Sequence, residues 1–166
     1  MTGSLSDLFA EYYPSLVRML FRRTGDRDRA EDIAQEVFAR AVAAPPRNPR
    51  PWLFAVALNL VREEGRRTTT RERRLVLYRA EHPVATAPPD AGFEQGERIA
   101  EVRRALDQLS ERDREALLLK AEGFSYEDIA ATLGLAPGAI GTTLARARRR
   151  LVLAWRAAEG RENVAS

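Results

Sequence analysis

The chain lacks cysteine altogether and has a single histidine, His82, among its 166 residues. A disulfide framework, a cysteine-ligated zinc site and a thiol nucleophile are therefore excluded, and a histidine-based metal site or triad would be short of ligands. No apolar run approaches the roughly 18 residues that a membrane-spanning helix needs. The stretch MTGSLSDLFAEYY lacks the basic start and apolar centre of a signal peptide. We therefore expect a cytoplasmic protein with no cofactor, no metal ion and no membrane-inserted segment.

Lysine is also almost absent, because Lys120 is the only one among the 27 basic residues and the others are arginines. The net charge is only +3, but it is distributed unevenly. Residues 45–80 carry a net charge of +6, residues 81–136 carry −6 and residues 137–166 carry +4. Two basic segments separated by an acidic one indicate either two contacts with a polyanion or solvated helix faces in an arginine-rich chain.

Apolar side chains recur at intervals of three and four residues through the first part of the chain, which is the spacing of amphipathic helices. Gly25 is expected to end the first helix, and either Asp26 or Asp28 to cap the second. Prolines crowd residues 45–51 and predict a loop there, with Pro51 in the first turn of a third helix.

The middle of the chain breaks the helical pattern. Gly65 lowers the stability of the third helix by about 1 kcal/mol relative to alanine, so its continuation to Ala80 stays open. Residues 81–96 (EHPVATAPPDAGFEQG) lack periodicity and are typical of a flexible linker. No segment alternates as a strand would. We therefore predict an all-α fold of two small helical domains, residues 1–80 and 97–160, joined by that linker.

A helix-turn-helix is predicted between Ser125, which caps a short helix, and Leu151. The turn at Gly134 requires glycine if its φ is positive, and the longer helix that follows is rich in arginine. Such a helix can place its first residues on base edges and its last on phosphates. Ser110 and Asp113 resemble a capping box for the preceding helix. The alternative is an ordinary helical hairpin with an arginine-rich end.

Three motifs in this order resemble those of bacterial sigma-70 family factors. The first, DRAEDIAQEVFARA at residues 28–41, is similar to the helix that docks a sigma factor on RNA polymerase. The second, PWLFAVALNLVREEGRR at residues 51–67, is similar to the helix that reads the −10 promoter element. The third, SYEDIAATLGLAPGAIGTTLARARRRL at residues 125–151, is similar to the module that reads the −35 element. The short chain and its linker resemble the extracytoplasmic-function (ECF) group, which keeps only regions 2 and 4.

The resemblance implies that residues 1–80 are sigma region 2 and residues 97–160 are sigma region 4 with its helix-turn-helix. It implies binding to the β′ and β subunits of core RNA polymerase and to promoter DNA, and thereby transcription initiation. The chain would be the specificity subunit of the polymerase, with no catalytic site of its own. An anti-sigma factor is a further expected partner, since the group usually has one.

The resemblance also implies three sets of binding residues. The core polymerase-binding residues are Asp32, Gln35 and Glu36, for which a solvated helix face is the alternative. The residues for the −10 element are Arg47, Asn48, Asn59, Arg62, Arg66 and Arg67. The residues for the −35 element are Thr142, Thr143, Arg146, Arg148, Arg149 and Arg150. Two positions that are usually basic in this helix are Gly141 and Thr143 here, which puts the −35 preference in doubt.

Two other classes of protein are alternatives. A transcriptional regulator with a C-terminal helix-turn-helix would need a sensor or receiver domain, and the alternating strands of a receiver are not predicted. A hydrolase or other enzyme would need a histidine pair, a cysteine or a phosphate-binding glycine loop, and the sequence supplies none of these.

Overall fold

The computed structural model describes residues 4–81 and 93–165 of the chain. Within these ranges all regular structure is helical, which confirms the all-α fold with two helical domains. In chain order the elements are α1 (Leu5–Thr24), α2 (Arg27–Ala43), α3 (Pro49–Glu81), α4 (Phe93–Asp107), α5 (Glu111–Ala121), α6 (Tyr126–Leu133), a 3-10 turn (Pro137–Ala139) and α7 (Ile140–Ala165).

The helix ends lie where the local capping chemistry predicts them. Gly25 ends α1 with a φ of 71°, in the left-handed region, and Asp26 accepts a backbone hydrogen bond at the start of α2. Ser110 and Ser125 cap α5 and α6 through their hydroxyl oxygens. Gly134 follows α6 with a φ of 66°, which confirms that this turn uses a conformation that favours glycine.

Two boundaries differ from the sequence-based expectation. Helix α3 continues through Gly65 to Glu81, so the propensity of one glycine does not interrupt a helix of 33 residues. Helix α4 already begins at Phe93, because the following Glu and Gln residues are good helix formers. The last four residues assigned to the linker are therefore helical. Residues 82–92, the rest of the predicted linker, lie outside the described residues.

Each domain buries an apolar stripe from every one of its helices. In the N-terminal domain, α1, α2 and α3 bury Leu16, Met19, Leu20, Ile33, Val37, Phe38, Leu53, Phe54, Leu58 and Val61. In the C-terminal domain the buried side chains include Leu106, Leu118, Leu119, Ile129, Ile140, Leu144 and Ala147. In the described ranges no helix is long and apolar enough to cross a membrane.

The two domains pack directly against each other, with α3 against α6 and α1 against α4 and α5. Phe54 of α3 and Phe124, just before α6, are fully buried and meet edge to face with ring centroids 4.7 Å apart. The guanidinium of Arg50 lies 4.2 Å from the Phe124 ring centroid, in cation–π geometry. The buried apolar cluster is therefore continuous between the domains.

Candidate polymerase and promoter interface

The residues predicted to bind core polymerase share one exposed face of α2. Asp32, Gln35 and Glu36 are exposed, whereas Ile33 between them is buried, as the 3.6-residue period of a helix requires. Glu36 accepts a hydrogen bond from Nε of Arg40 at 3.2 Å, one turn further along the helix. The face thus presents two carboxylates and an amide to solvent, which suits a basic partner surface.

The loop between α2 and α3 carries the first two residues predicted to contact the −10 element. Arg47 and Asn48 are both exposed. The backbone carbonyl of Asn48 accepts a hydrogen bond from the backbone N–H of Trp52 at 3.4 Å, which joins the loop to the first turn of α3. Trp52 packs against the buried core.

Asn59 and Arg62, also predicted to read the −10 element, are hydrogen-bonded to each other on α3. Oδ1 of Asn59 is 2.9 Å from Nη1 of Arg62, and Asn59 is exposed. Arg62 also donates from Nε to Oε1 of Glu115 at 2.8 Å and makes a second bond with the same carboxylate through Nη2. Glu111 lies 3.2 Å from Arg62 Nε.

The carboxylates that hold Arg62 belong to the other domain, since Glu111 and Glu115 lie on α5. Glu115 is only 2% exposed, so this is a largely desolvated pair. The hydrogen bonds to Glu115 raise the pKa of Arg62, and their effect outweighs that of burial, which would lower it. In this arrangement α5 therefore engages two of the donors of Arg62, which reduces the number left for a phosphate.

The two remaining −10 candidates lie further along α3. Arg66 is exposed. Arg67 belongs to the same helix, but its side chain lies outside the described residues. The prediction for these two arginines stays a prediction.

In the C-terminal domain, four of the six predicted −35 residues line an open groove along α7, the second helix of the helix-turn-helix. Thr142, Arg148, Arg149 and Arg150 are exposed, and Arg146 is about half exposed. The groove is lined by Gly141, Thr142, Ala145, Arg146, Arg149, Arg150 and Leu153. Small side chains at its start and arginines further along match the expected division between base and phosphate contacts.

The predicted DNA contact of Thr143 is wrong. Thr143 is 5% exposed, and its hydroxyl donates to the backbone carbonyl of Ala139 at 2.8 Å. Three residues after the buried Ile140 and four before the buried Ala147, it lies on the inner face of α7. The helical period alone could have shown this.

Asp113 is predicted from the sequence only as part of a helix cap, but its side chain also makes long-range contacts. Its backbone N–H donates to Ser110 Oγ at 3.3 Å, as a cap predicts. Its carboxylate instead turns to α7: Oδ1 accepts from Arg146 Nη2 at 2.7 Å, and Oδ2 accepts from Arg146 Nε and Arg150 Nη1, each at 3.2 Å. Asp113 is fully buried. The hydrogen bonds from Arg146 hold its pKa below the ordinary value, against the opposing effect of desolvation.

A second buried carboxylate joins the two domains. Glu122, whose side chain is 1% exposed, accepts from Arg18 Nη2 at 2.7 Å and from Arg22 Nη1 at 3.2 Å, both on α1. Its backbone carbonyl accepts from Arg50 Nη2 at 2.9 Å. Nearby, Arg103 of α4 donates to the carbonyl of Thr24 at 3.3 Å. The acidic segment that the charge pattern revealed is therefore partly neutralised by arginines of the N-terminal domain.

A metal centre receives no support from the described part of the chain, which contains no group of three or more histidine, aspartate or glutamate residues arranged to hold an ion.

Comparison with known proteins identifies the class of protein. The family model for Sigma-70 region 2 matches residues 8–71, and the model for Sigma-70, region 4 matches residues 99–151. The ECF RNA polymerase sigma factor EcfG of Rhodopseudomonas palustris is 38% identical over 91% of this chain and 84% of its own length. The ECF sigma factor SigC of Mycobacterium tuberculosis is 37% identical over 76% of this chain and 70% of its own length.

Solved structures agree with this class. The sigma factor RpoE of Bartonella quintana, solved with the anti-sigma factor NepR, superimposes with a TM-score of 0.62 and 28% identity, over 93% of this chain and 98% of that one. CnrH, solved with the cytosolic domain of CnrY, gives a TM-score of 0.67 and 25% identity, over 92% and 88% of the two chains.

The matches to region 2 and region 4 define the class of protein as a transcription initiation factor. The chain belongs to the sigma-70 family of RNA polymerase sigma factors, in its ECF group. It binds core RNA polymerase and directs promoter recognition and transcription initiation.

Proposed function

We propose that this ECF sigma factor docks on core polymerase through α2 and reads promoter DNA with α3 and α7, without a catalytic site of its own. The observation that carries the proposal is the groove of α7, where Thr142 and three arginines follow a glycine turn in a helix-turn-helix. Phosphodiester bond formation then belongs to the polymerase, and the chain supplies specificity and strand opening.

Docking involves the face of Asp32, Gln35 and Glu36. The partner in this family is the β′ subunit, with further contacts to β, and a basic surface there would complement the two carboxylates of α2. The exposed position of these three residues on one face of α2 supports this role.

Recognition of the −35 element involves α7. Thr142 and Arg146 lie near the start of the helix, where side chains reach base edges, and Arg148, Arg149 and Arg150 are placed for phosphates. Gly141 offers no cation at a position that is usually basic in the family. Base discrimination therefore depends strongly on Arg146.

Recognition of the −10 element involves the α2–α3 loop and α3. Arg47 and Asn48 are candidates for holding an unstacked base, and Asn59 for hydrogen bonding to a base edge. The candidates for phosphate contacts are Arg62, Arg66 and Arg67. In the described arrangement α5 engages Nε and Nη2 of Arg62, so separation of α5 from α3 would free these donors for a phosphate.

We also propose that this chain acts in the cytoplasm and binds an anti-sigma factor there. The Bartonella quintana RpoE was solved with the anti-sigma factor NepR, and it aligns with nearly the whole of this chain.

The test is reconstitution with core polymerase. We expect the chain to bind core enzyme in the absence of DNA, and the complex to start transcription at discrete sites on genomic fragments. Core enzyme alone should not do so. If the chain binds duplex DNA tightly by itself but does not bind core polymerase, it acts as a classical regulator and the proposal is wrong.

A further inference from the structure

We propose that Asp113 is a positioning residue for −35 recognition: it holds Arg146 so that the outer edge of the guanidinium faces the DNA. Asp113 lies on α5 and does not itself reach the groove, so it would act through α7. The inference rests on the proposed use of α7 in −35 recognition.

The contact between the two residues is a side-on fork. Asp113 accepts from both Nε and Nη2 of Arg146, at 3.2 and 2.7 Å. Such bidentate pairs fix the plane of the guanidinium as well as its distance. The carboxylate is fully buried while the Arg146 side chain remains 42% exposed, so the fork lies beneath the arginine and leaves its other edge toward solvent.

The donors that remain are the ones that DNA recognition needs. A guanidinium has five N–H donors, and the fork uses the one on Nε and one of the two on Nη2. Both hydrogens of Nη1 and one of Nη2 remain, and they form the outer edge. That edge matches the paired oxygens of a phosphate or the O6 and N7 atoms of guanine.

The surroundings of Arg146 keep this edge accessible. Gly141 and Ala145 line the same groove and carry little or no side chain. Arg150, one turn further along α7, gives a third hydrogen bond to Asp113 at 3.2 Å and balances the buried charge. A buried carboxylate is unfavourable unless it is paired, and here both of its partners also line the groove of α7.

Asp113 should therefore contribute more to discrimination between −35 sequences than to the overall affinity for DNA. An unpaired arginine would be attracted more strongly to any phosphate, because no anion lies beneath it, but it would sample many rotamers. A fixed guanidinium binds the correct base pair with a smaller loss of side-chain entropy. Neutralising Asp113 should thus lower sequence preference without an equal loss of general DNA affinity.

The test uses the full chain with core polymerase and templates randomised over the −35 element. The readout is the ratio of transcription from the preferred sequences to transcription from scrambled ones. For Asp113→Asn we expect this ratio to fall about tenfold, the order of one bidentate base contact, while initiation on scrambled templates stays equal or rises.

The matched control is Asp128→Asn. Asp128 occupies the same cap position in α6, where its backbone N–H donates to Ser125 Oγ, but the nearest cation to its carboxylate is Arg50 of the other domain, at 4.0 Å. The substitution removes the same charge from the same domain. We expect it to leave the preference ratio within about twofold of wild type.

Two further variants separate positioning from a loss of folding. Arg146→Lys keeps the charge on an exposed side chain but cannot form the fork and present a second edge, so it should lower the ratio as Asp113→Asn does. In an Arg146→Ala background, Asp113→Asn should lower the ratio by less than about twofold further.

A wild-type chain without any −35 preference would contradict the proposed role of α7 and this inference with it. A wild-type preference that survives in Asp113→Asn, or an undiminished effect of that substitution in the Arg146→Ala background, would overturn the positioning role alone.

Discussion

Arg62 on the predicted −10 helix donates two hydrogen bonds to the buried carboxylate of Glu115 in the C-terminal domain. One residue predicted to contact DNA is thus held by the domain proposed to read the other promoter element. Glu115 and Asn59 together engage three of the five N–H donors of Arg62, so fewer donors remain for a phosphate than on an unpaired guanidinium.

Substitution of Glu115 should release Arg62. We expect Glu115→Gln to increase binding of the isolated chain to a single-stranded −10 oligonucleotide severalfold, measured by fluorescence anisotropy, since the competing carboxylate is gone. Glu64→Gln is the control, because Glu64 pairs with Arg29 inside the N-terminal domain at 2.9 Å. Equal binding by wild type and Glu115→Gln would show that the pair does not limit access to Arg62.

The pair of Glu122 with Arg18 and Arg22 should stabilise the packing of the two domains. Removing one partner of a fully buried pair costs about 3–5 kcal/mol. Arg18 is half exposed, which screens its charge, so we expect Glu122→Gln to lower the free energy of unfolding by about 1–2 kcal/mol. Urea denaturation measures this value.

The control for Glu122 is a surface pair on one helix. Arg27 and Glu31 lie 3.3 Å apart on α2 with an exposed guanidinium, so Glu31→Gln should change stability by no more than about 0.5 kcal/mol. A similar loss in both variants would argue against a special role for Glu122.

Two glycines should respond in opposite ways to substitution by alanine. At Gly25 the φ of 71° disfavours a side chain, and an added Cβ would displace the guanidinium of Arg103. We therefore expect Gly25→Ala to destabilise the protein by at least about 1 kcal/mol. Gly65 lies within α3, where an added Cβ would meet nothing within 4 Å beyond the neighbouring backbone of its own helix, so Gly65→Ala should stabilise by up to about 1 kcal/mol. Thermal unfolding of both variants tests the contrast.

The lowered pKa of Asp113 predicts that its contribution to the stability of the folded protein is lost in acid. Its folded-state pKa lies below the ordinary value of 3.8, so its contribution is fully present above that value and is lost as the pH falls through the folded pKa. The gap in unfolding free energy between wild type and Asp113→Asn should therefore be constant near neutral pH and shrink below about pH 4. A gap that stays constant into this acidic range would contradict the assignment.

Charge reversal on α2 tests polymerase docking. Asp32→Arg combined with Glu36→Arg should weaken binding to core polymerase by at least tenfold, because like charges would then meet across the contact. A fluorescence titration against core enzyme measures the affinity, and circular dichroism checks that helicity is kept. Glu11→Arg, at an exposed position of α1, is the control and should bind as wild type does. Unchanged affinity of the double variant would remove α2 from the interface.

The features that the sequence by itself determined are local. Helix ends at Gly25 and Gly134, the caps at Ser110 and Ser125, and the shared face of the α2 residues all follow from contacts within about four residues. Capping hydrogen bonds and the 3.6-residue period act over that distance, so a single segment contains the information. The inward position of Thr143 is a local feature too, because the helical period places it on the same face as the buried Ile140 and Ala147.

Only the tertiary structure decided which charges meet. Asp113 and Arg146 are 33 residues apart and Arg62 and Glu115 are 53 apart, and the sequence offers many other arginines as partners for each acid. The charge blocks showed that acidic and basic segments exist, but Coulomb attraction alone does not choose among 26 arginines. Side-chain packing between α5 and α7, and between the two domains around Phe54 and Phe124, brings particular pairs into contact and buries their carboxylates. Burial and geometry, which depend on the whole fold, therefore decided which of the predicted DNA-binding arginines are held and which remain exposed.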